Sequence, residues 1–243
     1  MGTGLTLTVL GCDGSYPGPG GACSGYLLQC GVTSIWVDAG SGTLANLQRH
    51  IDLGSLDAVV VTHSHPDHFS DLDHLAVALR WYVRRRGLGV FAPRELKSMM
   101  RSSSAADVFD WQALSDCTRA TVGPIELTFS RTDHPVPTFA VRADGHGRSL
   151  GYSADSGPGW SLAMLGNGLD LALCEATFLS DKEGSMQHMS ARQAGATAAD
   201  SGAARLVITH LAPGVDREAA RAEASAAFGD DVLVASIGAR YEV

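Results

Sequence analysis

Residues 62–68 read Thr62-His63-Ser64-His65-Pro66-Asp67-His68, which places three imidazoles and a carboxylate within six positions. That is more ligand groups than a packing role requires, and metal binding is the chemistry such a set performs. On extended backbone, side chains two residues apart point the same way, so His63 and His65 can hold one ion. The turn at Pro66 re-aims Asp67 and His68 toward a second, and the spacing predicts two metals side by side. Further donors stand singly: His134, Asp155 and His210 each follow a strand-like run, at 129–133, 150–154 and 207–209. Such strands can bring their ends to one sheet edge.

Elements able to do this recur along the chain. Strand patterns occupy 5–10, 25–30 and 34–38, with a Gly/Pro loop at 11–21. The β-branched run at 57–62 is the mark of a strand covered on both faces, and it leads straight into the histidine cluster. Pro66 and Asp67 open a helix carrying Leu72, Leu75, Leu79 and Val83, with Gly87 as its stop. Residues 90–122 are harder to read. Met99, Met100, Val108, Phe109 and Trp111 suggest short helices and a loop that either covers the metal cleft or belongs to the core.

Strands return at 125–129, 138–141 and 149–153, the last two joined by the hairpin signal Asp144-Gly145-His146-Gly147. Buried-strand runs at 169–173 and 206–209 flank an Ala-rich helix at about 191–201, and a helix at 217–228 and a strand at 232–236 close the chain. Two packed sheets with helices outside is the simplest layering, expected as one domain over 1–243.

Composition narrows the class. The 243 residues carry 18 basic and 26 acidic side chains, a balance of −8 that excludes a general polyanion binder. A chain of this size folds to an accessible surface on the order of 10,000 Å² and buries about 70% of what it exposes when extended. Apolar residues make up 45% and charged ones 18%, which fits a compact enzyme-like chain rather than a disordered one. Five cysteines, an odd number without a CxxC spacing, read as reduced thiols of a cytoplasmic protein. The first residues lack a basic segment and alternate as a strand, so no signal peptide is expected. No uncharged apolar run reaches the roughly 18 residues needed to span a bilayer.

Taken in order, these motifs resemble the metallo-β-lactamase superfamily over nearly the whole chain. Residues 63–68 stand for its HxHxDH signature, Asp155 in Ser-Ala-Asp-Ser-Gly for its aspartate motif, and His210 in Ile-Thr-His for its last histidine. The resemblance implies an α/β fold, the four-layer αββα sandwich, with two mixed β-sheets packed face to face and helices outside. It implies two Zn²⁺ ions, with Mn²⁺ or Fe as alternatives. His63, His65 and His134 would hold one ion, Asp67, His68 and His210 the other, and Asp155 would bridge. Asp38, in Trp-Val-Asp-Ala-Gly, matches an early aspartate that orients the ligands, and reads equally as a turn residue at a strand end.

Within the superfamily, Cys174-Glu175-Ala176-Thr177 is similar to the His-Glu-Ala-Thr motif of ribonuclease Z and related phosphodiesterases, with Cys in place of His, and His188 matches their extra histidine. The pair suits a phosphodiester: Glu175 orients His188, which contacts a phosphate oxygen or protonates the leaving group. The metal-activated hydroxide would be held by Asp155 or Asp67. Read without the resemblance, Glu175 caps a helix and His188 lies in a loop.

Two departures from ribonuclease Z stand out. Only 20 residues separate His134 from Asp155, too few for an arm that grips tRNA, and Leu211-Ala-Pro-Gly-Val215 replaces an Arg-Tyr pair after the last histidine. The likeness is nearer to small bacterial phosphodiesterases, including those acting on cyclic nucleotides. The function expected is therefore hydrolysis of a small phosphodiester or nucleotide. A ribonuclease Z-like RNA 3′-end endonuclease, a thioester, lactone or lactam hydrolase, and a metal-binding scaffold without turnover are the alternatives. A long nucleic acid is not an expected partner, and a homodimer is implied by the resemblance alone. Trp81-Tyr82-Val83-Arg84-Arg85-Arg86 reads either as a nucleic-acid patch or, preferably, as cations complementing a helix C-terminus.

Overall fold

The computed structural model describes residues 4–101 and 105–243. Residues 1–3 and 102–104, which belong to the N-terminal run and the 90–122 segment read above, lie outside it. The accessible surface is 10000 Å², the value expected for a folded chain of this length.

The first sheet has the order β14-β1-β2-β3-β4-β5-β6, formed by β1 (Leu5–Gly11), β2 (Gly25–Cys30), β3 (Thr33–Val37), β4 (Ala58–Val60), β5 (Leu88–Ala92), β6 (Phe109–Ala113) and the last strand of the chain, β14 (Arg240–Glu242). The second has the order β13-β12-β11-β10-β9-β8-β7, from β7 (Arg119–Val122), β8 (Ile125–Arg131), β9 (Phe139–Gly145), β10 (Arg148–Tyr152), β11 (Leu171–Glu175), β12 (Leu206–Thr209) and β13 (Leu233–Val234). Each sheet is mixed. β3 to β6 and β10 to β13 run parallel, and the remaining pairs are antiparallel.

Period-2 alternation sorts the strand residues between layers. Leu7, Tyr26, Leu28, Ile35, Phe129, Val141, Tyr152 and Leu173 fill the layer between the sheets. Leu27, Trp36 and Val59 face outward, under helices α1 (Thr43–Leu47), α2 (Pro66–Phe69) and α3 (Leu72–Ala78). Two short helices, α4 (Leu96–Met99) and α5 (Ala105–Val108), continue this side. On the far face, Ala172, Cys174 and Ile208 lie under α6 (Ala191–Asp200) and α7 (Arg217–Phe228). The result is the αββα sandwich. Helices α6 and α7 approach closely because position 195 is glycine: a Cβ there would sit 2.3 Å from the Ala224 carbonyl oxygen.

Several elements differ from the sequence reading. The helix expected to run from Pro66 to Gly87 is interrupted at Asp71. Its carboxylate takes the Leu44 N–H at 2.8 Å and its own N–H bonds the Ala39 carbonyl, pinning the chain between α2 and α3. The helical run then widens into a π-turn over Leu79–Val83 and stops at Arg84, in the left-handed conformation, not at Gly87. Residues 90–122 contribute three strands as well as short helices. Phe109 is buried with the α3 layer, and Met100 and Trp111 pack against that layer, so these residues are core; Met99 is exposed. The β9/β10 hairpin turns on His146 and Gly147, both at positive φ, as a two-residue turn of the primed kind requires. Of the arginines around Trp81, Arg80 and Arg86 pair with Asp107, and Arg85 donates to the Gly54 carbonyl. Among the described residues no helix is long and apolar enough to cross a membrane.

Candidate metal centre

Every residue read as a ligand lies in a loop after a strand or in the short helix that such a loop opens. The loop after β4 supplies His63 and His65. His65 is extended because a proline follows it, and Pro66 then starts α2, which carries Asp67 and His68 in its first turn. The second sheet supplies His134 after β8, Asp155 after β10 and His210 after β12. Asp38, Ala154 and His210 all have positive φ, as does Ser15 in the loop after β1, so left-handed backbone gathers in these loops.

The seven side chains form two groups that share Asp155. In the first, Nδ1 of His65 lies 3.1 Å from Nε2 of His63 and 3.2 Å from Nε2 of His134, with Asp155 Oδ2 3.5 Å from His63 Nε2. In the second, Nε2 of His210 lies 3.2 Å from Asp67 Oδ2 and 3.4 Å from Asp155 Oδ1, and Nε2 of His68 lies 3.2 Å from the same Oδ1. Tetrahedral ligands about 2.0–2.1 Å from a cation stand roughly 3.3 Å from one another, so these spacings suit a metal. Moreover, His68 Nε2 and Asp155 Oδ1 are fully buried and make no hydrogen bond. Facing atoms of this kind lack the partner that buried polar groups require, and a cation seated between them would supply it.

Hydrogen bonds behind the cluster decide which imidazole nitrogen points inward. His68 Nδ1–H donates to Asp38 Oδ2 at 2.7 Å. Thr62 Oγ1–H donates to the same oxygen at 3.0 Å, so its lone pair receives His63 Nδ1–H at 3.1 Å. The other half repeats the device. Thr177 Oγ1–H donates to Glu175 Oε2 at 2.7 Å and receives His210 Nδ1–H at 3.0 Å, while His134 Nδ1–H donates to the Gln187 carbonyl at 3.2 Å. With Nδ1–H committed in all four rings, Nε2 is the nitrogen aimed at the centre, and it presents a lone pair there whenever the ring is neutral.

Charge follows the same division. Burial pushes His63, His65 and His134 below the ordinary imidazole range, so they are neutral near pH 7. Burial also opposes charge on His68 and His210, but it is outweighed by Asp155 in both cases, helped by Asp38 at His68 and by Asp67 at His210, and both are raised. Burial would raise Asp67, yet His68 and His210 hold it well below the usual carboxylate range. The Ser15 N–H also donates to Asp67 Oδ2 at 2.8 Å.

Beside the cluster, His188 Nδ1 lies 2.9 Å from Glu175 Oε1, and its ring stacks on His210 at 5.5 Å between centroids. Burial would lower its pKa, but Glu175 raises it to about 9. The loop carrying His188 is tied down by the bond of His134 to the Gln187 carbonyl and by the Ser190–Gln193 capping box of α6.

All the candidate residues named from the sequence thus come together: His63, His65, Asp67, His68, His134, Asp155 and His210 in the two groups, with Asp38, Glu175 and His188 around them. Sequence reading did not single out Thr62, Thr177, Gln187 or the Ser15 N–H as the groups behind the ligands. The two threonines adjoin motifs already recognised, which is a usable signal; the other two act through backbone atoms and leave none.

Residues 33–211 match the family described as the Beta-lactamase superfamily domain. The chain is 32% identical over 250 residues to "Probable metallo-hydrolase YhfI" of Bacillus subtilis, covering 98% of this chain and 100% of that one. It is 28% identical over 280 residues to ribonuclease Z of Mycobacterium bovis, covering 98% of each. The crystal structure of the metallo-beta-lactamase fold protein YhfI superposes with a TM-score of 0.91 at 31% identity, covering 100% of each chain. That of a diphosphatase from the PhnP family gives 0.75 at 17% identity, covering 98% of each, a likeness of fold. On the match of the family over most of its length, and on relatives aligned nearly end to end, the chain belongs to the metallo-β-lactamase superfamily.

Proposed function

We propose that the protein is a dinuclear metal-dependent phosphodiesterase acting on a small substrate such as a cyclic nucleotide. His63, His65, His134 and Asp155 would hold one Zn²⁺, and Asp67, His68, His210 and Asp155 the other; Mn²⁺ or Fe would fit the same N/O donors. Bound there, the ions supply Lewis acidity and water acidified into the neutral range.

The chain's own part is positioning and proton transfer. Asp38 and Glu175 fix the imidazole tautomers from behind, and the Ser15 N–H holds Asp67 Oδ2. The observation that carries the phosphodiester reading is the His188–Glu175 pair. With Nδ1–H committed to Glu175, the imidazolium keeps Nε2–H for a phosphate oxygen or the departing alkoxide. An acyl hydrolase has less need of such a cation, because its tetrahedral intermediate carries one oxyanion where the attacked phosphorus of a phosphodiester carries two.

Two features favour a small substrate. The 20 residues between His134 and Asp155 are spent mainly on β9, its two-residue turn and β10, and the chain carries a net charge of −8. Relatives that carry names of RNA-processing enzymes make an RNA 3′ end the outcome to be excluded. A panel of bis-p-nitrophenyl phosphate, 3′,5′- and 2′,3′-cyclic nucleotides, a precursor tRNA and a lactone tests the proposal on metal-loaded protein. Hydrolysis of cyclic nucleotides supports it. Cleavage of the lactone alone, or of the tRNA alone, overturns it.

A further inference from the structure

Two fully buried tyrosines cross the layer between the sheets in opposite directions. Tyr152 ends β10 in the second sheet, three residues before Asp155, and its hydroxyl donates to Asp38 Oδ2 of the first sheet at 2.9 Å. Tyr26 lies on β2 of the first sheet, paired with Val37 beside Asp38, and its hydroxyl shares a 2.7 Å hydrogen bond with Thr209 Oγ1 of the second, next to His210. The two rings meet edge to face at 5.0 Å between centroids. Around them the layer is aliphatic, with Leu7, Leu28, Val37, Val141, Leu150 and Leu173 as neighbours.

The ligands are divided between the sheets in the same way. His63, His65, Asp67 and His68 follow β4 of the first, whereas His134, Asp155 and His210 follow strands of the second. Metal sites tolerate ligand errors of only about 0.2 Å. Aliphatic packing resists separation of the two sheets but is non-directional and sets their lateral offset weakly. Hydrogen bonds of fixed length and angle do better. Tyr152 meets the carboxylate that orders His68 and, through Thr62, His63, and Tyr26 meets the residue preceding His210, so each bond ends one residue or one hydrogen bond away from a ligand of the opposite half. Burial keeps both phenols protonated and able to donate.

We propose that Tyr26 and Tyr152 are positioning residues that set the offset between the two half-sites and so the geometry of the metal pair. This rests on the metal-centre reading above. The test compares cobalt(II) binding to wild-type protein, Tyr26→Phe, Tyr152→Phe, Thr209→Val and Leu7→Ala. The readouts are the dissociation constants from chelator competition, the visible absorption of the bound ion, and the melting temperature of the metal-free chain.

Each tyrosine variant should weaken cobalt binding by about tenfold or more and alter the ligand-field bands, a magnitude usual for groups that orient ligands. Thr209→Val, which removes the partner of Tyr26 from the other side, should reproduce the Tyr26→Phe result and decides the matter if a tyrosine variant does not fold. Leu7→Ala should lower the melting temperature while leaving affinity and spectrum unchanged. Tyrosine and Thr209 variants with wild-type affinity and spectrum, whatever their melting temperatures, overturn the inference. Wild-type protein that takes up no cobalt overturns the metal reading itself.

Discussion

Glu175 Oε1 lies 2.9 Å from Nδ1 of His188, while Oε2 of the same carboxylate receives the Thr177 hydroxyl that orders His210. One side chain therefore serves the candidate proton donor and a candidate ligand at once. If His188 protonates the leaving oxygen, His188→Ala should cut turnover by about 10²–10⁴-fold on an alkoxide-leaving phosphodiester. On bis-p-nitrophenyl phosphate, whose phenolate leaves without a proton, the loss should be small. Equal losses on both substrates would assign His188 to binding instead.

The pH dependence has a definite sign. His188 is raised to about 9 in the metal-free chain, so its acid form persists through neutrality and is lost as pH rises. Bound cations lower that limit, and Glu175 raises it. Glu175→Gln should thus move the alkaline limb of the pH–kcat profile to lower pH. An unshifted alkaline limb would remove His188 as its source.

Asp38 accepts four hydrogen bonds: from His68, from the Thr62 hydroxyl, from the Tyr152 hydroxyl and from the Thr62 N–H. In Asp38→Asn, the amide NH₂ must face donors it cannot bond, and the His68 tautomer is released. Metal affinity measured by chelator competition should fall about 10–100-fold. Retention of wild-type affinity would mean that ligand orientation does not depend on this carboxylate.

Gly14 packs against His210. A Cβ at this position would sit 2.4 Å from the His210 carbonyl oxygen and 2.8 Å from its Nδ1. Overpacking of this kind costs about 1–3 kcal/mol, or roughly 2–12 °C of melting temperature in a chain of this size. In Gly14→Ala the displaced ring should also release the metal of the Asp67 group before that of the His63 group, as seen by elemental analysis after dialysis. A variant with full metal content and an unchanged melting temperature would show that the loop yields freely.

Metal loading should be coupled to protons, and unequally. His68 and His210 keep protons above the ordinary imidazole value, so uptake beside Asp67 must expel them and weakens as pH falls. His63, His65 and His134 are held below that value and need no deprotonation at neutral pH. Lowering the pH from about 8 to 6 should therefore strip one metal before the other. Calorimetric titrations in buffers of different ionisation enthalpy would measure the proton release, and simultaneous loss with none would refute it.

Much of this site could be read from residue types alone. His63 to His68 announce themselves by density, and the β-branched run before them fixes their place at a strand end. Glu175 and His188 were visible as a pair only through a family motif, because 12 intervening residues carry no periodicity linking them. The crossed tyrosines left no local trace: Tyr152 and Asp38 are 114 residues apart, and an aromatic in an alternating strand reads as core. The break at Asp71 was hidden for a similar reason, since its carboxylate serves α1, a separate element, while the apolar spacing on either side continues in phase. The strands of the 90–122 segment were obscured by exposed positions in β6 and β7 that dilute the alternation, and β14 by being three residues long.

The division of the ligands between two sheets also bears on biosynthesis. A chain leaving the ribosome presents His63 to His68 early, as an open hexapeptide whose partners have yet to be made. Until residue 210 has emerged and β12 has joined its sheet, any ion captured there would have few donors and exchange freely. On the reading proposed above, stable acquisition of a metal pair would therefore wait until both sheets have formed.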